Sequence, residues 1–207
     1  TVMKTQLELL GERAREGQPI EHHLHVLRQE IERVTEIVSK IGTAELAVDD
    51  ARAVVDINEV VREMMSTYCD ALFYSRSIAV DLDLDGRSPR AIASVGAIKQ
   101  ILLNLWKNAS EALSGGGQLR VRTVDRVNYE GSLMVEVSVS DTGRGMPPEI
   151  VENMFSRQLS TAGSGDRGFG LSNALMLVKQ LAGHLLCRSE PDVGTTFILL
   201  LPRASTG

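Results

Sequence analysis

Asn104 and Asn108 stand four residues apart in a stretch, Asn104-Leu-Trp-Lys107-Asn108-Ala-Ser-Glu-Ala, that reads as the middle of a helix. Residues four apart share a helix face, and around them lie Ile101, Leu102 and Leu105. Two neutral carboxamides among apolar neighbours need partners, since an unpaired buried amide costs ~1–3 kcal/mol. A hydrated Mg²⁺ carrying phosphates meets that need, because an Asn carbonyl ligates it without adding charge; bonds to neighbouring backbone meet it too. A second group, Asp141-Thr-Gly143-Arg-Gly145-Met146-Pro-Pro, directly follows an alternating segment. An ionised carboxylate at a strand end only accepts hydrogen bonds, so it suits an exocyclic amine such as that of adenine. Gly143 and Gly145 would let a flat ring approach the backbone. A plain turn accounts for these glycines equally well, though not for the Asp.

A third group, Gly168-Phe169-Gly170-Leu171, opens a helix, where free N–H groups and the helix dipole favour an anion such as phosphate. A lone G-x-G is weak evidence by itself. Between the second and third groups runs 155–167, with Ser160-Thr161-Ala-Gly163-Ser-Gly165 at its centre. It is small, polar and glycine-rich, and reads as a lid ordered over a ligand or as an ordinary loop.

The elements that must position these groups follow from periodicity. Alternation and turn signals predict strands at 53–57, 78–84, 90–95, 118–124, 133–140, 184–189 and 195–201. Helical spacing predicts helices at 58–75, 97–113 and 171–181, the second stopped by Gly115-Gly116-Gly117. Asp85-Gly86 reads as a hairpin turn, and the strand pairs all read as antiparallel. The expected class is α+β, one sheet with helices on one face. Residues 1–43 have a different texture. Ile20, Leu24, Leu27, Ile31, Val34, Val38 and Ile41 follow a strict 4,3 heptad seam, and Met3, Leu7, Leu10 and Ala14 form a shorter stripe before Gly17-Gln18-Pro19. This predicts an antiparallel helical hairpin whose seam needs a partner, most simply a second copy of the chain. The expected divisions are a hairpin at 1–43, a polar linker at 44–52, a domain at 53–203 and a tail at 204–207.

In this order and at these separations the groups, closed by Gly194-Thr195-Thr-Phe197 and Leu201-Pro202, resemble the nucleotide-binding domain of sensor histidine kinases, within the Bergerat-fold (GHKL) ATPase superfamily. The resemblance covers 53–203, and 1–43 looks like part of that family's dimerisation and histidine-phosphotransfer hairpin. It implies an α/β sandwich with a mixed sheet that binds ATP and Mg²⁺. By position, Asn108 would ligate Mg²⁺ and Asn104 support its water shell. Asp141 would read the adenine amine, with Gly143, Gly145 and Met146 walling the base. Gly168, Phe169 and Gly170, with Leu171, would meet the phosphates. Phe155 would anchor a lid containing Ser160 and Thr161, and Thr195 would belong to the same pocket. Hydrolysing relatives carry Glu where Asn104 stands; an amide cannot accept a proton as a general base. Asn104 therefore points to transfer of the γ-phosphoryl to a protein acceptor, which chiefly demands positioning and charge neutralisation.

Two departures qualify the match. The family's lid often has Lys after a Ser/Thr-Thr pair, whereas Ala162 follows Thr161 here, leaving Arg167 or Lys107 as the cation for phosphate. No His followed by an acidic residue and then by Pro five positions on is present: His22, His23 and His25 lie off the hairpin seam, and His184 reads as a strand-surface residue. The acceptor His is expected upstream of Thr1. The resemblance implies a homodimer through 1–43 and onward transfer to a response-regulator Asp. The rivals are a Ser kinase of the anti-sigma-factor type, disfavoured by the hairpin, and a dimerisation module with a degenerate nucleotide site.

Composition agrees with that picture. The chain has 207 residues, 43% hydrophobic and 24% charged, which excludes disordered and collagen-like classes. Its 22 Lys+Arg against 27 Asp+Glu give a net charge of −5, so neither nucleic acid nor an anionic membrane is an expected partner. No uninterrupted apolar run exceeds five residues, no signal peptide opens the chain, and Cys69 and Cys187 form no CxxC pair. A cytoplasmic location with reduced thiols is expected, within a soluble or membrane-bound sensor.

Overall fold

The computed structural model describes Gly11, Val26, 52–156 and 169–205. The chain divides into two units, Thr1–Asp50 and Ala51–Gly207. In the first unit Gly11 and Val26 are both helical; the heptad seam otherwise lies outside the described residues.

The second unit begins with β1 (Ala53–Asp56), which passes directly into α1 (Ile57–Leu72). Asp56 makes that switch, its carboxylate accepting from the N–H groups of Asn58 at 2.9 Å and Glu59 at 3.2 Å and so capping the helix. Ile57 is therefore the first helical residue rather than the last of a strand. Ile57, Val60, Val61, Met64 and Met65 give α1 one buried stripe. A short 3₁₀ turn at Tyr74–Arg76 leads to β2 (Ile78–Asp83), then β3 (Arg90–Ala93) and α2 (Val95–Ala112). Ser94 caps α2 through its hydroxyl to the Ala97 N–H at 3.1 Å. β4 (Gly117–Tyr129) and β5 (Ser132–Asp141) form a long hairpin, followed by α3 (Pro148–Ser156), α4 (Phe169–Gln180), β6 (His184–Glu190) and β7 (Gly194–Pro202).

The strands make a two-stranded sheet, β1-β3, and a five-stranded sheet of order β2-β4-β5-β7-β6. Helices cover one face of the larger sheet, giving the expected α+β sandwich with a mixed sheet. The core lies between Leu119, Val121, Val135, Val137, Val139 and Leu199 of the strands and Ile101, Leu102, Leu105, Ala174 and Val178 of α2 and α4.

Three expectations are corrected. The strands do not make one sheet, because β1 and β3 pair with each other apart from the other five. Asp85-Gly86 does not close a hairpin: β2 runs parallel to β4, from Ile78 opposite Gly117 to Asp83 opposite Arg122, while β3 pairs with β1. Asp85 instead ties the β2–β3 connection down. Its carboxylate takes Nη2 of Arg87 at 2.6 Å and the Asp125 N–H at 2.9 Å, and its own N–H donates to Thr123 Oγ1 at 2.9 Å. The strands expected at 118–124 and 133–140 extend through a bulge, where Asp125 and Arg126 stand opposite the single Val135. The bulge turns Asp125 inward, to 5% exposure, where Arg203 pairs with it at 2.8 Å.

Candidate functional site

The groups singled out by the sequence meet at two ends of one helix face. Asn104, Asn108 and Ala112 recur every four residues along α2, so the face between the first and last spans about 12 Å at 1.5 Å per residue.

At the C-terminal end of α2, the loop after β5 packs against the helix terminus. A Cβ on Gly143 would sit 2.8 Å from the carbonyl carbon and oxygen of Ala112, so only a glycine fits. The neighbouring Arg144 N–H reaches Ala112 O at 3.4 Å. The same loop is pinned on its other side to the β6–β7 turn. Asp192 N–H donates to Arg144 O at 2.8 Å, and Met146 N–H donates to Ser189 Oγ at 2.8 Å. Gly145, at φ +62°, lies so close to the turn that a Cβ would fall 1.9 Å from Glu190 O. Met146 is partly buried against the core.

Asp141 ends β5 with 8% exposure. Its carboxylate accepts from Gly143 N–H at 2.9 Å and from the Thr195 main chain, its register partner on β7. Burial pushes the Asp141 carboxyl above the usual carboxylate range, and these two N–H bonds act against the rise. Thr195 is buried between Asp141 on one side and Ser189 of β6 on the other. Close by on β6, the half-buried Cys187 thiol is pushed up to about 12, first by burial and then by the Asp141 charge.

At the other end, Asn104 is buried on α2 facing the start of α4. Its Oδ1 accepts from Gln100 Nε2 at 3.3 Å, while its Nδ2 is buried without a partner. Gly170 stands against it, since a Cβ there would lie 3.7 Å from Asn104 Oδ1. Asn108 is half-buried one turn on and Lys107 is exposed. Leu171 is partly buried against the core, which seats the first turn of α4.

The structure thus brings together Asn104 and Gly170 at one end, and Asp141, Gly143, Gly145, Met146 and Thr195 at the other. Ser160, Thr161, Ala162, Arg167 and Gly168 lie outside the described residues, as do the side chains of Phe155 and Phe169. Sequence reasoning missed α3 and Ser189. The run Pro148-Glu-Ile-Val-Glu-Asn-Met has Pro at the first helical position and Glu149 in the first turn, a legible start signal. Ser189 carried no signal beyond being a small polar residue in an edge strand. Among the described residues no three His, Cys, Asp or Glu side chains are grouped to hold a metal, and no helix is long and apolar enough to cross a membrane.

Residues 94–205 match the family model described as histidine kinase-, DNA gyrase B- and HSP90-like ATPase. The sensory histidine kinase/phosphatase NtrB of Vibrio alginolyticus is 29% identical over 188 residues, covering 87% of this chain and 52% of that protein. The chain thus spans about half the length of this curated relative. Among solved structures, the catalytic domain of histidine kinase ThkA is 25% identical, with a TM-score of 0.62 over 73% of this chain and 97% of that one. ThkA in complex with the response regulator protein TrrA aligns over 98% of this chain and 59% of that one, with a TM-score of 0.66 at 22% identity.

Proposed function

The chain belongs to the histidine kinase-, DNA gyrase B- and HSP90-like ATPase family, as a histidine kinase ATP-binding core, and from that premise we propose that it binds Mg·ATP along the α2 face and hands the γ-phosphoryl to a protein histidine. The observation that carries the reading is the buried, unpartnered Asn104 amide facing Gly170 at the start of α4. A native fold rarely leaves such a group unsatisfied, and a ligand phosphate oxygen supplies the missing acceptor.

Asp141 accepts the exocyclic amine of the base, using lone pairs that Gly143 and Thr195 leave free. Gly143, Gly145 and Met146 wall the ring. The α2 face then carries the sugar and phosphates toward Gly168, Phe169, Gly170 and Leu171, whose helix start favours anions. Phe155, Ser160 and Thr161 close over them as a lid, and Arg167 or Lys107 supplies the cation. Asn108 holds Mg²⁺, with Asn104 orienting its water shell; the neutral amides fit a metal whose remaining ligands come from phosphate. When bound, Mg²⁺ neutralises charge on the transferring phosphoryl group. Asn104 cannot take a proton from water, so the site favours phosphotransfer over hydrolysis. The chain's own work is to hold the base, align the phosphates and exclude a general base.

In the larger reading, 1–43 forms a dimerisation hairpin, 44–52 links it to the 53–203 catalytic domain, and the phosphoryl group passes onward to a response-regulator Asp in the cytoplasm. Titration with a fluorescent ATP analogue tests the core of this reading. Mg-dependent binding that Asp141→Asn abolishes is expected; absence of any Mg-dependent nucleotide binding overturns it.

A further inference from the structure

Ser189 is absent from every group that the sequence put forward, yet its hydroxyl joins three parts of the base end of the site. A serine hydroxyl has one proton to donate and two lone pairs. Met146 N–H donates to it at 2.8 Å, occupying one lone pair. Gly194 O, which only accepts, lies at 3.1 Å and takes the proton. The third partner, Thr195 Oγ1 at 2.9 Å, must then donate to the remaining lone pair. Together the three bonds use all of the hydroxyl's capacity, with Thr195 as the donor in the third.

Thr195 sits in one cross-strand row between Asp141 on β5 and Ser189 on β6. With its proton committed to Ser189, it cannot donate to the Asp141 carboxylate. Asp141 is left with main-chain bonds alone, and the two side chains of this row turn acceptors toward a ligand: the carboxylate and the Thr195 lone pairs. A ligand edge bearing an amino group is complementary to such a surface; one bearing a carbonyl oxygen in the same place is not.

We propose that Ser189 is a positioning residue for base selection, holding the Thr195 proton and the 141–146 loop so that the site accepts a 6-amino purine and rejects a 6-oxo purine. This rests on the nucleotide reading above. Without the hydroxyl, Met146 N–H loses its partner, and the Thr195 proton is released to turn toward Asp141, its neighbour in the row, where it competes with the ligand amine.

The test is competition of ATP and of GTP against a fluorescent ATP analogue, with Mg²⁺, on the full chain and on Ser189→Ala, Ser189→Thr and Asp141→Asn, with thermal melting alongside. Ser189→Ala should weaken ATP binding about tenfold and leave GTP within about twofold, the scale of one hydrogen bond. Ser189→Thr, which keeps the hydroxyl, should restore the ATP-to-GTP ratio. If Ser189→Ala does not fold, Ser189→Cys, close in shape but a poor hydrogen-bonding partner, should show the same collapse of the ratio. A ratio unchanged in Ser189→Ala while Asp141→Asn abolishes ATP binding overturns the assignment alone. So does an equal loss of both nucleotides accompanied by lower melting. Failure of the unaltered chain to bind either nucleotide overturns the nucleotide reading, and this assignment with it.

Discussion

Gly145→Ala isolates how far the base end of the site depends on close backbone approach. Gly145 has φ +62°, and a Cβ there would lie 1.9 Å from Glu190 O and 2.7 Å from Glu190 C. Carbon–oxygen contacts below 3.0 Å essentially never occur, so loop and turn must part by more than 1 Å. Both are backbone, so no side chain can swing aside to accommodate the methyl. A separation of that size lengthens the Met146 N–H to Ser189 bond and the Asp192 N–H to Arg144 bond, both 2.8 Å, beyond hydrogen-bond range. Gly131 is the matched control. It too has positive φ, at +82°, but a Cβ there would meet nothing within 4 Å. Gly131→Ala should therefore cost only the backbone preference, about 1 kcal/mol. Gly145→Ala adds overpacking, typically about 1–3 kcal/mol, for roughly 2–4 kcal/mol in all. Urea unfolding of the two variants measures the difference, and ATP-analogue titration should show Gly145→Ala weakened at least about tenfold with Gly131→Ala unchanged. Equal unfolding free energies, or equal nucleotide affinities, would refute the argument that the 141–146 loop is held by contact with the β6–β7 turn.

Replacing Asn104 with Leu, similar in shape, removes the orphaned amide; the variant should unfold about 1 kcal/mol less readily while binding the ATP analogue with Mg²⁺ about tenfold more weakly, and a destabilised variant that binds as tightly as the unaltered chain would contradict the assigned role. Asp85 is held well below the usual carboxylate range, first by its Arg87 partner and then by the Asp125 N–H. Its stabilisation is full above the unfolded carboxyl value, near ~3.9, and is lost as pH falls toward the lower folded one; urea midpoints should drop below about pH 4 in the unaltered chain and less steeply in Asp85→Asn. The Cys187 thiol, pushed up to about 12, should alkylate with iodoacetamide at pH 8 on the order of a thousandfold more slowly than a free cysteine, as located by mass spectrometry. Arg203→Ala removes the closer and more buried of the two arginines paired with Asp125, which is 5% exposed, and leaves only the exposed Arg126 at 3.4 Å; it should cost about 1–3 kcal/mol in urea unfolding.

Much of this architecture was legible because its signals are local. A capping Ser, a 3.6-residue stripe through Ile98, Ile101, Leu102 and Leu105, and a glycine stop define α2 within a few residues. β4 and β5 alternate because one face is buried and the other wet. Where the sequence misleads, a non-local partner decides. Asp85-Gly86 has the composition of a hairpin turn, but pairing of β2 is settled by β4, more than thirty residues away, which lies parallel to it. The strand pattern at 118–124 stops at Asp125 because a charged residue stands at an inward position; the bulge and Arg203, seventy-eight residues on, make that burial tolerable. The site divides in the same way. Residue types disclosed the Asp, Asn and Gly members, whose chemistry is unusual for their local context. Ser189 is ordinary in its context, and its importance lies in three partners drawn from the 141–146 loop and the β6–β7 turn.

That difference has a consequence for how the site is built. Main-chain contacts fix the base end from three sides: a Cβ on Gly194, at the start of β7, would be 2.0 Å from Asp141 O, one on Gly143 would be 2.8 Å from Ala112 at the end of α2, and Thr142 N–H donates to Gln118 O of β4 at 3.1 Å. The base end is therefore rigid before any ligand arrives, and an amine-bearing ring meets acceptors already oriented, with little ordering cost. The phosphate end is built on the opposite plan. Asn104 keeps a buried amide unsatisfied at a position where an apolar residue would be more stable. Such a group is costly in the free protein and is relieved only by a ligand that brings acceptors. On the proposed reading, binding strength is concentrated where the nucleotide would carry its phosphates and metal, and selectivity where it would carry its base. A chain arranged this way should lose affinity but keep its preference for ATP when Asn104 is altered, and lose preference when Ser189 is altered. Affinities of ATP and GTP for both single variants and the double variant measure this separation; a double variant whose ATP-to-GTP ratio differs from that of Ser189→Ala would show that the two ends are coupled.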